Sequence, residues 1–520
     1  MSIRCCSPPH IGTAQKCLIL VSALIPLVSA DCAPPPIPIN IENVTLPNNE
    51  ISRGLGMSVG NPPQKFSFLP AWPLNNTYVF GSNGYCTGSW SDSACTTLRG
   101  GQYDKVGSTT RGSADSDAYP TDGSLYKLEI ITDNLTITDN VTFPDFALGI
   151  SLADWGLEGY HPRASLGLGP NSSVLHALQS ARRIASRSWS MFWGQTGATE
   201  NTQLDGSFIF GGYDRAKVSG NEYSYDLSPL SEDCATGMVV TITDISLEYP
   251  NGTSASLFSD IKSAALATCL IPDLPWLMTL PYNPYFVNFQ SLTNASDFDR
   301  SFGINYYTMV YNQNAQIYDG DMTIKLSSGL SVRISNDQLV VPRLLIDRDS
   351  GELVTNSTET SLLINSLQGG NSDDLPQLGR NFLSSAYLMV NQDANKFTLW
   401  AANPTINEDI VAVDSNNKVI EEFCDPTTRG STPSPSAQPA SSSERKLSRA
   451  AIAGIAVGSV AGVGTTAGIV FMYMKRQKVK AYIKSQITSP VEPKAPPAYG
   501  TLELHGTSIP DRPPEPQELP

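Results

Sequence analysis

Charge is scarce in this sequence. Asp, Glu, Lys and Arg make up only 16 % of 520 residues, and the balance is acidic, with a net charge of −15. No stretch forms a basic face, so nucleic acid is excluded as a partner. Histidine is scarcer still, and only His161 and His176 fall between the N-terminal leader and the C-terminal segments described below. With no His-x-x-x-His and no Cys-x-x-Cys spacing, neither a metal centre nor a cofactor is expected. Long amphipathic helical patterns are also missing between about residues 51 and 401. Short alternating apolar runs at 125–131, 238–247, 306–310 and 322–332 recur between clusters of Gly, Asn, Asp and Pro, which predicts a mainly β body. The best candidate helix is 174–184, capped by Asn171 or Ser172, with Val174, Leu175, Leu178 and Ile184 on one face.

The ends of the chain carry secretory and membrane signals. Arg4 and Lys16 precede an apolar run over 17–30, with Val28 and Ala30 at the small-residue positions of a cleavage site. That run falls short of the roughly 20 residues a membrane span needs, so 1–30 reads as a signal peptide. Of the nine cysteines, Cys5, Cys6 and Cys17 would leave with it. Six remain, an even number compatible with three bridges in an oxidising compartment. Asn-x-Ser/Thr sequons at Asn43, Asn75, Asn134, Asn140, Asn171, Asn251, Asn294 and Asn356 all lie before residue 400, marking that segment as luminal or extracellular.

Residues 411–449, rich in Ser, Thr and Pro towards their C-terminal end, read as a stalk. Residues 450–474 are uncharged and long enough to span a bilayer. Lys475, Arg476, Lys478, Lys480 and Lys484 follow and place 475–520 in the cytoplasm. The chain is thus expected to be a single-pass protein of the plasma membrane or another secretory-pathway membrane. Gly454, Gly458 and Gly462 give the span one smooth face, which suits self-association but also ordinary span composition. In the Pro-rich tail, Pro496-Pro497-Ala498-Tyr499 matches the Pro-Pro-x-Tyr ligand of WW domains, which points to a WW-domain ubiquitin ligase as a partner.

Met57 and Val59, then Phe66 and Phe68, flank Asn61-Pro62-Pro63-Gln64 as the two arms of a hairpin. Gly60-Asn61-Pro62-Pro63-Gln64-Lys65-Phe66 and the later Tyr78-Val79 resemble the first hairpin of the pepsin-like aspartic proteases. Four further stretches keep the resemblance going: Cys86 with Cys95, Ser165-Leu166-Gly167-Leu168-Gly169, 206–214 with its Gly211-Gly212, and Leu378-Gly379-Arg380-Asn381-Phe382-Leu383. The resemblance implies an all-β, bilobal fold with a central cleft, an N-terminal lobe over 31–220 and a C-terminal lobe over 221–410. It also implies disulfides Cys86–Cys95 and Cys234–Cys269, which leaves Cys32 and Cys424 to each other.

The chemistry of that family is absent from the matching positions. Two carboxylates sharing one proton act as base and acid there. Aligned without a gap, the first falls on Ala71, and no Asp or Glu occurs between Gly54 and Gly81. The second falls on Pro272; a shift of one residue offers Asp273, followed by Leu274 and Pro275 where the family has a small residue and glycine. Asp273 is then a turn residue rather than a catalyst. At Arg163-Ala164 the family's usual Asp-Gly is missing as well. The hairpin begins close behind the leader, which leaves no room for an inhibitory prosegment.

The expected function is that of a catalytically inactive, membrane-anchored glycoprotein, like fungal surface members of the family, whose cleft binds a peptide or cell-wall ligand. Trp72, Tyr119 and Trp276 are candidates to line the cleft, with buried packing, or for Tyr119 a turn position, as the competing role. A membrane-tethered aspartic endopeptidase and a structural or adhesive surface protein are the alternatives.

Overall fold

The computed structural model describes residues 32–82, 86, 90–114, 128–151, 163–231, 233–259, 265–295, 298–301 and 304–424. The leader, Tyr119, His161, the 450–474 segment with its three spaced glycines, and the Pro-Pro-x-Tyr motif lie outside them. The chain divides into Met1–Gly430 and Ser431–Pro520, and every described residue belongs to the first unit. No helix among the described residues is long and apolar enough to cross a membrane.

The predicted hairpin is formed by β2 (Ile51–Val59) and β3 (Gln64–Ala71), closed where Val59 pairs with Gln64. Met57 pairs with Phe66, and both side chains enter the core with Val59 and Phe68. Before it, β1 (Ile37–Thr45) alternates buried and exposed side chains along its first half, the period-2 pattern of a strand with one face on a core. β1 pairs with β2 on one edge and with Gly206–Phe210 on the other. The sheet then continues through Ser188–Phe192, Ala386–Asn391, Lys396–Ala402 and Val218–Asp226. Strands from the beginning, middle and end of the body are therefore hydrogen-bonded in one row. The main hydrophobic core is correspondingly continuous across both halves.

Each half repeats one crossing. In the first, β3 runs parallel to Ser165–Gly167, and Tyr78–Phe80 runs parallel to the end of Val141–Ser151. In the second, Leu266–Leu270 runs parallel to Gln377–Leu378, and Met278–Pro281 runs parallel to Ile364–Leu367. A glycine sits under each crossing loop. A Cβ on Gly167 would lie 2.5 Å from the Asn76 backbone, and one on Gly379 would lie 2.3 Å from the Trp276 carbonyl oxygen. Any side chain there would force the loops apart.

Helix α1 (Asp92–Arg99) is capped by Ser91 Oγ, which accepts from Ala94 N; the sequence reading had not placed it. Helix α2 (Ser173–Ser180) starts where expected, with Ser172 Oγ accepting from Leu175 N. It ends short of Ile184 because Arg182 takes a left-handed backbone, φ 53°. Ile184 is buried from the turn that follows. The run at 322–332 is two strands, Asp321–Leu326 and Ser331–Ile334, and 306–310 yields only Met309–Tyr311.

Three disulfides join Cys32–Cys424, Cys86–Cys95 and Cys234–Cys269. The first ties the two ends of the body together, beside a bridge between Ala33 and Phe423. Two boundaries read from the sequence move. Residues 411–424 are not stalk: Ile410–Val413 pairs with Gly212–Asp214, with Val411, Ala412 and Val413 buried. A lobe boundary at 220/221 would cut the strand Val218–Asp226.

Candidate functional site

The duplicated crossing fixes which residues occupy equivalent places. Leu69 N donates to Ala164 O at 2.9 Å, and Cys269 N donates to Pro376 O at 2.8 Å. Taking Gly167 with Gly379 and Asn76 with Trp276, the partner of Ala71 in the second half is Ile271. This corrects the gapless alignment, which put the second acid position at Pro272. Ala71 and Ile271 are both buried, and neither can ionise. Pro272 is the partner of Trp72, and Asp273 of Pro73, so Asp273 stands two residues beyond the equivalent position.

The two halves enclose a cavity of about 300 Å³, within the lower range of small-ligand sites. Leu69 and Leu98 of the first half, with Leu344, Ile346, Leu353 and Leu363 of the second, give it apolar walls. Its polar end is made by Arg53, Arg163, Arg380 and Asp273 around Trp193. Exposed Asn43 and Thr355 stand at its rim.

Each arginine is held by the backbone geometry around it. Arg163 is 8 % exposed, and its Nη2 lies 2.6 Å from Ser52 Oγ, 2.8 Å from Arg53 O and 2.8 Å from Ser67 Oγ. Arg380 is 6 % exposed; its Nη1 donates to Asp273 O at 2.8 Å and its Nη2 to Ile304 O at 3.4 Å. Arg53 Nη2 donates to Trp193 O and Leu204 O, each at 3.0 Å, while Asp205 stands 3.7 Å from Nη1. The guanidinium carbons of Arg53 and Arg380 lie 5.7 and 5.2 Å from the Trp193 ring, within cation–π range.

Electrostatically this end of the cavity is cationic. Burial, then repulsion from Arg380, pushes Arg163 down to about 9. Burial pushes Arg380 down to about 10, against the attraction of Asp273. Both remain charged at neutral pH. Burial raises Asp273 to about 7, against a bond from its own backbone and the pull of Arg380. Among the described residues lining this cavity, Asp273 is the one carboxylic acid. The site can therefore attract and orient an anion, and among the described residues it holds one carboxylate, where a shared-water dyad needs two.

Two aromatic candidates take the packing role instead. Trp72 is 1 % exposed, donates from Nε1 to Thr236 O at 2.6 Å and packs on Trp189. Trp276 lies in a small cluster with Cys234, Cys269, Ile271 and Leu274. Pro272 is buried in the turn between them. The tryptophan that does line the cavity, Trp193, was missed, as were Arg53 and Arg380. Arg163 had been noticed only as a departure from Asp-Gly. Buried arginines inside otherwise apolar motifs of a charge-poor chain were the available signal.

The sequence also contains an overlooked Gly-x-Ser-x-Gly match, Gly56-Met57-Ser58-Val59-Gly60. Ser58 lies within β2, paired with Lys65 in an antiparallel hairpin. A nucleophile elbow requires a strand-to-helix turn, so this match is a strand.

The sequons divide by exposure. Asn43, Asn140, Asn171, Asn251 and Asn294 are exposed, while Asn75, Asn134 and Asn356 are half-buried. Asn75 Oδ1 also accepts from Asn171 N at 2.9 Å.

No model of a known protein family matches the chain. Among solved structures, it is similar to the aspartic proteinase from Irpex lacteus, at 15 % identity and a TM-score of 0.44, covering 72 % of this chain and 100 % of that one.

Proposed function

We propose that the body is a pepsin-like fold that has lost its catalytic acids and serves as a ligand-binding ectodomain, its interlobe cavity taking a peptide or cell-surface ligand. The observation that carries this reading is the pair Ala71 and Ile271 at equivalent places in the duplicated crossings, with Asp273 the one acid among the described residues lining the cavity. General acid–base hydrolysis by a shared-proton dyad needs two carboxylates about 3 Å apart. One buried acid beside Arg380 cannot supply both roles.

The 450–474 segment supports a membrane anchor, with self-association through its spaced glycines, and Pro496-Pro497-Ala498-Tyr499 supports recognition by a WW-domain ubiquitin ligase. On this reading Tyr499→Ala lengthens the lifetime of the chain at its membrane; an unchanged turnover rate would remove the tail motif from the account.

The test of the main reading is endopeptidase activity of the purified full-length chain on denatured protein from pH 3 to 7, with and without a statine-type inhibitor. No inhibitable cleavage is expected. Cleavage that the inhibitor blocks would establish the endopeptidase and refute the loss of catalysis.

A further inference from the structure

Three guanidinium groups gather around Trp193 in a cavity that is also lined by Leu69, Leu98, Leu344, Ile346, Leu353 and Leu363, with Gln203, Asn305 and Asn381 among its further polar side chains. Arg163 and Arg380 are more than nine-tenths buried, and Arg53 is half-buried beside them. Facing them is Asp273, with Asp205 and Glu42 reaching only Arg53, Asp205 from a side chain that is 62 % exposed. Positive charge therefore exceeds negative charge inside the cavity, in a protein whose net charge is −15. Moreover, Arg53 Nε and Arg163 Nε are buried with no hydrogen-bond partner. A buried donor without an acceptor is unfavourable, so such groups call for an acceptor.

We propose that this end of the cavity receives a carboxylate, and that the apolar walls receive the hydrocarbon body attached to it. A carboxylate is flat, singly charged and matched to the guanidinium fork. Trp193 beneath Arg53 and Arg380, and Ser52 and Ser67 on Arg163, hold the forks in place. Binding then requires little ordering of long side chains. The bound charge also relieves the repulsion between Arg163 and Arg380. Inorganic phosphate, more highly charged and hydrated all round, would leave part of its shell against Leu69, Leu98, Leu344 and Leu353. Two sources offer the favoured chemistry: a free short-chain fatty acid, and the C-terminal carboxylate of a peptide ending in apolar residues.

This inference deepens the proposed binding role and rests on the cavity being a binding site. It is tested by titration calorimetry of the full-length chain at pH 6 with four probes: hexanoate, 1-hexanol, N-acetyl-Leu-Leu and its C-terminal amide, with inorganic phosphate as a fifth. Each acid is expected to bind at least tenfold tighter than its neutral counterpart and than phosphate, and whichever acid binds tighter identifies the source. Equal binding of acid and neutral forms, phosphate binding as tightly as the acids, or no heat from any acid would each overturn the proposal. This comparison needs no variant.

Arg380→Leu is expected to weaken the acids at least tenfold, about 1.4 kcal/mol, and leave the neutral probes unchanged. Leu353→Trp, at a half-buried position of the lining, should weaken both acids by filling part of the cavity; unchanged affinity for either variant would also count against the site. Mass analysis of the peptide after titration keeps the two readings apart. Hydrolysis would refute the loss of catalysis, whereas the acid–neutral difference decides the carboxylate site on its own.

Discussion

Asp273 gives the cavity a measurable pH signature. Its carboxyl is raised from 3.8 to about 7, first because burial removes it from water. Between those values the folded chain holds a proton that the unfolded chain has released. The unfolded state then binds fewer protons, so stability falls as pH rises. The contribution of Asp273 is fully present below about pH 4 and gone above about pH 7. Lifting a carboxyl over that range corresponds to about 4 kcal/mol at 1.36 kcal/mol for each tenfold step.

The perturbation is Asp273→Asn, which keeps the shape and removes the titration. The assay is urea unfolding of wild type and variant from pH 3 to 8, read as the difference between the two stabilities. Asp133, Asp244, Asp393 and Asp414 are held below the usual carboxylate range once their hydrogen bonds outweigh burial. They make both proteins less stable in acid and cancel in the difference. The variant is expected to gain on wild type steadily from about pH 4 to 7, by up to about 4 kcal/mol, and then hold level. A flat difference across that range would show that Asp273 ionises normally, and would refute a desolvated carboxyl beside Arg380.

The duplicated crossings predict that Gly167→Ala and Gly379→Ala each destabilise by about 1–3 kcal/mol through overpacking against the loop backbone, seen as lower urea midpoints; tolerance of either would break the equivalence. Trp72→Phe, which removes the donor to Thr236 O, should cost about 1–3 kcal/mol of stability with hexanoate affinity unchanged. Trp193→Ala, by contrast, should weaken hexanoate several-fold, because it removes the ring under Arg53 and Arg380. Replacing Cys32 and Cys424 together by Ser opens a closure of 392 residues and should lower stability by up to about 5 kcal/mol, read as a drop in the thermal midpoint.

The fold was legible where local chemistry and packing agree. Asn61-Pro62-Pro63-Gln64 between alternating apolar arms forms the hairpin in sequence and in space alike. Ser172 caps the one helix the reading placed, because a hydroxyl three residues before an apolar face is a local signal. Helix α1 carried a weaker one: Asp92-Ser93-Ala94-Cys95-Thr96-Thr97 offers few apolar side chains, and what marks it in space is the disulfide at Cys95 and the burial of Ala94, Leu98 and Arg99. The 411–424 segment misled for a related reason. It was joined to the Ser/Thr/Pro-rich stretch that follows it, while Val411, Ala412 and Val413 are buried beside Gly212–Asp214, a pairing remote in sequence.

The site was harder to read, since its members are far apart in sequence and each has an innocent local explanation. Trp72 follows Ala71 directly and Trp276 stands five residues after Ile271, so proximity in sequence favoured them over Trp193. Yet a side chain next to a crossing loop has two faces to choose from. With the cleft side given to Leu274 and Pro275, Trp276 turns towards Cys234 and Cys269. Arg163 and Arg380 each occupy a motif that packs a strand into the core, where a charged residue would ordinarily be selected against. Each is held there by hydrogen bonds, Arg163 to Ser52, Arg53 O and Ser67 and Arg380 to Asp273 O and Ile304 O. The cavity between the halves, absent from any single stretch of sequence, is the place where three such charges meet an apolar wall.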